Sequence, residues 1–458
     1  MLWLSISLVS CLVARSTAIS LPFKARPRTL PHANKSSKDV SNPFNFSHVN
    51  DFRIGDVYEV SLTAGGAEFD VQLDTGSSDL WLDTRIMKPS GTQDTGLTSK
   101  ITYVDLTSAE GPVLIANVTF GNVTVPSAFI SAAGSNATLN GDAGVIGVGP
   151  PTLSRIARTL KNTTFNGKTP LENASTREFP QIFAANPDEP KFFTFQLSRS
   201  ETTGTTSGGI FTIGEVNSTL SGISNAPKLN VVSPNRWTVL MDGMIVNGKT
   251  VTGNSRFNIS GQGPTQTVAN FDTGGTQSLV PQFYADAIYS NVPGAEFDSS
   301  QGVYIVPCNT KIDVSFLFSG IAYPVHPIDT VQAQLDPTTG MAVCFGGFLV
   351  ATGLPQDFVL GDVFLRDVYA LHDFGSFISG TTPPFVQLLS TLNAATADSE
   401  FDTLSAQRNA SITGEVPSSG GGGGGSKAAT SESSAPRNMF LSTMLLAAID
   451  IGLGMTLI

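Results

Sequence analysis

Three cysteines and four histidines among 458 residues leave little for metal chemistry. His32, His48, His326 and His372 form no His-Glu-x-x-His or paired Cys-His spacing, so neither a metal nor a cofactor is expected. Charge is also scarce. Only 14% of residues are charged, too few for a solvated disordered chain. The 26 Lys+Arg against 37 Asp+Glu give a net charge of −11. An acidic chain is a poor ligand for polyanions, which excludes nucleic acid as a partner. Long helical patterns are scarce. The chain has no Gly-x-Ser-x-Gly elbow, and Gly141–Gly149 lacks the Gly-x-Gly-x-x-Gly spacing of a phosphate cradle.

What is present is 40% hydrophobic residues, 45 Gly and 27 Pro, the composition of many short strands joined by turns. Val57-Tyr-Glu-Val-Ser-Leu-Thr alternates with period 2. After Gly65-Gly66 the alternation resumes in Ala67-Glu-Phe-Asp-Val-Gln-Leu, which predicts a hairpin. Val113–Phe120, Gly121-Asn122 and Val123-Thr-Val predict another. Short helices are expected near Pro151–Thr159 and Pro281–Ser290.

The chain ends carry addresses. Leu2–Ala14 is an apolar run too short to span a bilayer, followed by Ser16-Thr17-Ala18. It reads as a signal peptide over 1–19, with a buried N-terminal strand or helix as the alternative. Residues 20–50 carry five basic side chains and one acidic. A basic segment ahead of an acidic body predicts a pro-segment held by charge, or else a plain leader. Ser/Ala/Thr-rich residues 395–438, with the run Gly420–Gly425, read as a flexible stalk. The apolar tail 439–458 behind small residues reads as a GPI-attachment signal, with a transmembrane anchor as the alternative. A secreted chain at the cell surface or wall, held to the membrane through this C-terminus, is therefore expected. Once Cys11 leaves with the signal, Cys308 and Cys344 remain, and an oxidising compartment favours a disulfide between them. Ten Asn-x-Ser/Thr sequons, at Asn34, Asn45, Asn117, Asn122, Asn136, Asn162, Asn173, Asn217, Asn258 and Asn409, predict a glycosylated surface.

The body repeats weakly within itself. Leu73-Asp74-Thr75-Gly76 recurs 198 residues later as Phe271-Asp272-Thr273-Gly274. Each copy is followed by an apolar pair and glycine, Val145-Ile146-Gly147 and Val359-Leu360-Gly361. Two homologous β lobes, 51–225 and 226–394, follow from that order. A third Asp-Thr-Gly, Asp94-Thr95-Gly96, has no apolar strand feeding it and reads as a surface turn. Asp74 and Asp272 each end a strand-like run, where a side chain points into a cleft and the glycine two residues on lets the backbone turn.

Asp74-Thr-Gly-Ser-Ser-Asp-Leu-Trp81, Phe271-Asp-Thr-Gly and Phe358-Val-Leu-Gly-Asp-Val-Phe-Leu365 together resemble the pepsin family of aspartic endopeptidases, over roughly 55–390. The GPI-like tail is similar to its fungal, surface-anchored, yapsin-like branch. The resemblance implies an all-β bilobal fold with a cleft between lobes, and hydrolysis of extended peptides by Asp74 and Asp272. It implies Thr75, Gly76, Ser77, Thr273 and Gly274 as supports of the pair. Ile101-Thr-Tyr103 with Asp105 and Gly111 resembles the covering flap, with Trp81 holding the Tyr103 hydroxyl. Val145 and Val359 match pocket positions beside the scissile bond, and Cys308–Cys344 resembles the C-terminal-lobe disulfide. A monomer is expected. Two positions depart from the pattern. Gly275 stands where a hydroxyl side chain normally supports the second aspartate, and Leu106 replaces a flap glycine. They motivate an alternative, a pepsin-like binding or cell-surface glycoprotein with impaired turnover.

Overall fold

The computed structural model describes residues 19–27, 56–104, 107–137, 143–161, 178–199, 206–335, 342–378 and 381–413. All lie in the first of the chain's two compact units, Met1–Pro417. Residues 1–18 of the expected signal peptide, the part of the expected stalk beyond residue 413, the apolar tail, Asp105, Leu106 and the sequons at Asn34, Asn45, Asn162 and Asn173 fall outside the described residues.

Strands dominate, as the period-2 alternation predicts. In Ala67–Asp74 the apolar residues Phe69, Val71 and Leu73 are buried and Glu68 is exposed. This strand pairs antiparallel with Asp56–Ala64 through the Gly65-Gly66 turn, where both glycines have positive φ. It pairs on its other side, in parallel, with Gly144–Gly147. Gly144–Gly147 runs antiparallel to Leu80–Leu82, which lies parallel to Val123–Ser131. Ser108–Phe120 pairs with both Val123–Ser131 and Asp56–Ala64, closing a six-stranded barrel. Closure leaves few open edges and encloses a core that includes Val60, Leu62, Phe69, Val71, Val118, Phe120 and Phe129.

The second half repeats the central motif. Thr267–Phe271 pairs in parallel with Phe358–Leu360, which meets Ser278–Val280 antiparallel. Ser278–Val280 is in turn parallel to Phe348–Val350. The pairings Asp74↔Gly147 and Phe271↔Leu360 put the two copies in equivalent register. The fold is all-β and bilobal, of the pepsin-like kind. Beneath both lobes, Phe192–Leu197, Thr206–Ile213, Val368–Asp373 and Phe385–Ser390 join the same sheet. An aromatic cluster of Phe193, Trp237, His372 and Phe374 packs there, with His372 stacked on Phe193 at 4.8 Å.

The short helices form at Arg155–Leu160 and Gln282–Tyr289, and Cys308 and Cys344 form a disulfide. Asp94-Thr95-Gly96 differs from the surface turn expected. It sits in the strand Gln93–Thr102, at a bulge where Gly96 (φ +72°) donates its amide to Asp94. Residues 19–27, largely inside the expected pro-segment, form a strand between Thr206–Ile213 and Asp56–Ala64. Its Lys24 ammonium contacts Asp70 at 2.7 Å.

The stretch from 395 to 413, expected as part of a flexible stalk, is instead helical. Ala394–Thr413 is a helix docked on the body. Ala397, Phe401 and Ser405 are buried at helical spacing, and the Arg408 guanidinium donates to the carbonyls of Val331 at 2.6 Å and Cys308 at 2.8 Å. Small and polar residues hid this face, because among the described residues Phe401 is its one fully buried large apolar side chain. Of the described sequons, Asn117, Asn122, Asn136 and Asn258 are exposed, Asn217 is half-buried, and Asn409 is half-buried on this docked helix.

Candidate active site

The two Asp-Thr-Gly loops meet face to face between the lobes. Each strand carrying an aspartate ends where its backbone must turn toward the other loop. An added Cβ at Gly76 would collide with the Asp272 carboxyl, and one at Gly274 would lie 2.6 Å from Asp74 Oδ1. Glycine is required at both places by close approach, not by turn geometry alone. Gly147 and Gly361 clear room for the same loops. A side chain at Gly147 would strike the Ser78 and Asp79 amides, and one at Gly361 would strike the Gly275 and Gln277 carbonyls.

The threonines lock the loops reciprocally. The Thr75 amide donates to Thr273 Oγ1 (3.1 Å), and the Thr273 amide donates to Thr75 Oγ1 (3.0 Å). Each hydroxyl donates onward across the interface, Thr75 to the Phe271 carbonyl at 2.8 Å and Thr273 to the Leu73 carbonyl at 2.6 Å. All four bonds are buried, where each contributes about 1 kcal/mol and leaving a partner unmade costs more.

The carboxyls of Asp74 and Asp272 face each other, their Oδ1 atoms lying 2.6 Å and 3.0 Å from the place a Cβ on Gly274 would take. Asp74 Oδ1 accepts from the Gly76 amide at 2.7 Å and Oδ2 from the Ser77 hydroxyl at 2.5 Å. Asp272 Oδ1 accepts from the Gly274 amide at 2.9 Å. Burial, then the charge and hydrogen bond of Asp74, hold the Asp272 carboxyl well above the ordinary carboxylate range, against the pull of the Gly274 amide and Arg236.

Tyr103 stands on the hairpin Gln93–Thr102/Ser108–Phe120, and its hydroxyl accepts from Trp81 Nε1 at 2.7 Å. Gly111 lets that hairpin lie against the Ser131 carbonyl. Val145 and Val359 line the cleft on the strands that pair with Gln72 and Asn270. The expected residues of the dyad, its supports, Tyr103, Trp81 and the two valines therefore converge, while Asp105 lies outside the described residues. Among the described residues no cluster of His, Cys, Asp or Glu is arranged to hold a metal.

Three cleft residues escaped the sequence reading. Gln72 reaches across the lobes, its amide donating to the carbonyls of Gly274 (3.1 Å) and Thr273 (3.4 Å). Asp79 is buried, accepts from Ser154 Oγ and the amides of Arg155 (2.6 Å) and Ile156 (3.2 Å), and is raised chiefly by burial. Arg236 lines the cleft just before buried Trp237. Gln72 carried a signal, a polar residue at an inward position two before the aspartate. Arg236 carried none, because only the fold places it beside the dyad.

The sequence model described as "Eukaryotic aspartyl protease" matches residues 57–381. The chain belongs to this pepsin-like family of aspartic endopeptidases. An "Aspartic protease" of Phaffia rhodozyma is 28% identical over 347 residues, covering 69% of this chain and 73% of that one. "Penicillopepsin-2" of Penicillium janthinellum is 27% identical over 389 residues, 79% of this chain and 87% of its own. "Major aspartyl peptidase 1" of Cryptococcus neoformans is 26% identical over 340 residues, 68% and 65% of the two chains. The aspartic endopeptidase match takes in both Asp-Thr-Gly loops and the flap hairpin.

Proposed function

We propose that this chain is a secreted acid endopeptidase whose Asp74 and Asp272 hydrolyse peptide bonds by activating water. The observation that carries the reading is the contact of the two carboxyls across the lobe interface, with the opposing glycines clearing space for it. Two carboxylates this close cannot both ionise, as in the pepsin pair that is the familiar instance of the effect. One proton is shared, and the titration belongs to the pair. The ionised carboxyl takes a proton from water as its oxygen attacks the scissile carbonyl carbon. The protonated carboxyl gives its proton to the carbonyl oxygen. The resulting diol collapses with proton transfer to the leaving nitrogen, and no bond forms between enzyme and substrate. Thr75, Gly76, Ser77, Thr273 and Gly274 hold this geometry. Tyr103, tethered by Trp81, covers an extended peptide whose backbone pairs along the cleft, and Val145 and Val359 give its neighbouring pockets apolar walls.

An acid assay on unfolded protein substrate between pH 3 and 6, with and without a pepstatin-type inhibitor, tests the reading. Inhibitor-sensitive cleavage that vanishes in Asp74→Asn and in Asp272→Asn, with folding retained, supports it. Proteolysis surviving in either variant refutes it. Gly275 favours a second reading, a peptide binder without turnover, and peptide capture with no inhibitor-sensitive cleavage would select that. The apolar tail 439–458 fits attachment at the cell surface by GPI. Release of the full chain from cells by a phosphatidylinositol-specific phospholipase tests that part. The enzyme is taken to act as a monomer.

A further inference from the structure

The body is acidic, yet two arginines, Arg236 and Arg155, are among the residues that line the cleft with the dyad. Arg236 is placed by its neighbours. Trp237 is buried in the aromatic cluster, its indole donating to the Val148 carbonyl at 3.3 Å. The strand Thr238–Met241 lies antiparallel to Thr267–Phe271, which leads into Asp272. On the other flank Thr152 donates to the Pro234 carbonyl at 2.6 Å, tying this loop to the first lobe next to Arg155. Arg236 is half-buried, feels the charges of Asp272, Asp74 and Arg155, and among the described residues has no hydrogen bond or ion pair. Arg155 lines the same cleft. Its backbone amide holds Asp79, and its side chain extends into an adjoining surface depression with Arg158 and the Lys100–Glu110 pair. Asp79 is committed to its own hydrogen bonds. A peptide entering on this side therefore meets the Arg236 guanidinium, on which the acidic charge that acts is that of the dyad.

We propose that Arg236, with Arg155 beyond it, is an anion-recognising subsite, so that the enzyme favours peptides with a Glu or Asp side chain one or two residues from the scissile bond on that side. The proposal rests on the endopeptidase reading above. A half-buried guanidinium offers a planar fork of donors matched to a carboxylate, and partial desolvation strengthens the pairing relative to open water. The preference must depend on pH. The groups that face the subsite are Asp74, Asp272, Asp79 and Arg155, and the arginines stay charged throughout the acid range. The substrate carboxylate, with an ordinary Glu value of about 4.3, is what titrates. Recognition is therefore strong near pH 5.5 and weak near pH 3.5.

The test uses peptide pairs identical except for Glu or Gln at each of the two positions on either side of the bond. The readout is the Glu/Gln ratio of kcat/KM within each enzyme, so overall rate changes drop out. The expected result is a ratio of about ten or more at one position at pH 5.5, falling toward one at pH 3.5. Arg236→Gln should bring the pH 5.5 ratio near one, Arg155→Gln should lower it partly, and Arg236→Lys should retain a reduced preference. A ratio near one at every position in the wild-type enzyme overturns the proposal, as does a preference that persists in Arg236→Gln. The wild-type pH dependence keeps the proposal testable if the Arg236 variants fold poorly. If neither peptide of any pair is cleaved, the endopeptidase reading fails instead.

Discussion

The two Asp-Thr-Gly loops share sequence and register, yet they are supported unequally. Asp74 has an amide and the Ser77 hydroxyl on its two oxygens. Asp272 has the Gly274 amide, the Asp74 carboxyl and, at position 275, no side chain. The inequality extends one layer back. Gln72, two residues before Asp74, braces the opposite loop, whereas its counterpart Asn270 is fully buried with both side-chain polar atoms unpartnered among the described residues. A near-symmetric scaffold thus builds an asymmetric acid–base pair.

The largest effect that would break this comparison is on stability. Because the folded value of Asp272 is raised, its burial costs nothing below the ordinary Asp value near 4 and increasingly destabilises the fold as pH rises above it. Asp272→Asn should therefore abolish cleavage while raising Tm at pH 7 relative to pH 4, and Asp74→Asn should abolish cleavage with a smaller gain, because it removes the neighbouring charge but leaves the Asp272 carboxyl buried. Thermal melts across pH decide it, and equal melting profiles would remove the asymmetry.

His372, buried under the second loop and stacked on Phe193, is pushed down to about 3 by burial. Its neutral form supports the fold fully above the ordinary His value near 6.5, and this support is lost as pH falls toward 3, at about 1.4 kcal/mol per unit of depression. His372→Phe should flatten the acid side of the Tm–pH curve. An unchanged slope would mean that the aromatic cluster around His372 is not the acid-labile part.

Ser77→Ala should lower kcat/KM about tenfold to a hundredfold, the cost of about 1.5–3 kcal/mol for a hydrogen bond to a charged group. Smaller still is the reverse experiment. A Cβ at Gly275 meets nothing closer than 3.5 Å, so Gly275→Ser fits without strain. A hydroxyl donated to Asp272 should stabilise its ionised form and move the alkaline limb of kcat/KM to lower pH by less than about one unit. A shift to higher pH would show that the new hydroxyl does not reach the carboxyl.

Much of the site was legible because its residues are close in sequence to a recognisable cue. Asp74 through Trp81 is one unbroken stretch, and Tyr103 follows 22 residues after Trp81. The apolar-apolar-Gly partners were legible from the repeat. The docked helix Ala394–Thr413 was not, since beside Phe401 its buried face is built from alanine, serine and an arginine that donates to the backbone carbonyls of Cys308 and Val331. Nor was the strand role of residues 19–27, whose charge pattern pointed to a leader while their alternation found a gap in the main sheet.

Alternation, glycine placement and the doubled Asp-Thr-Gly were enough to determine two β lobes, the identity of the paired carboxyls and the hairpin above them, because each is a local pattern that local sterics enforce. The company those carboxyls keep was decided only in three dimensions. Arg236, Gln72 and His372 lie far along the chain from the loops they influence, and desolvation and charge depend on distance in space. The chain closes those distances only when the second lobe folds against the first.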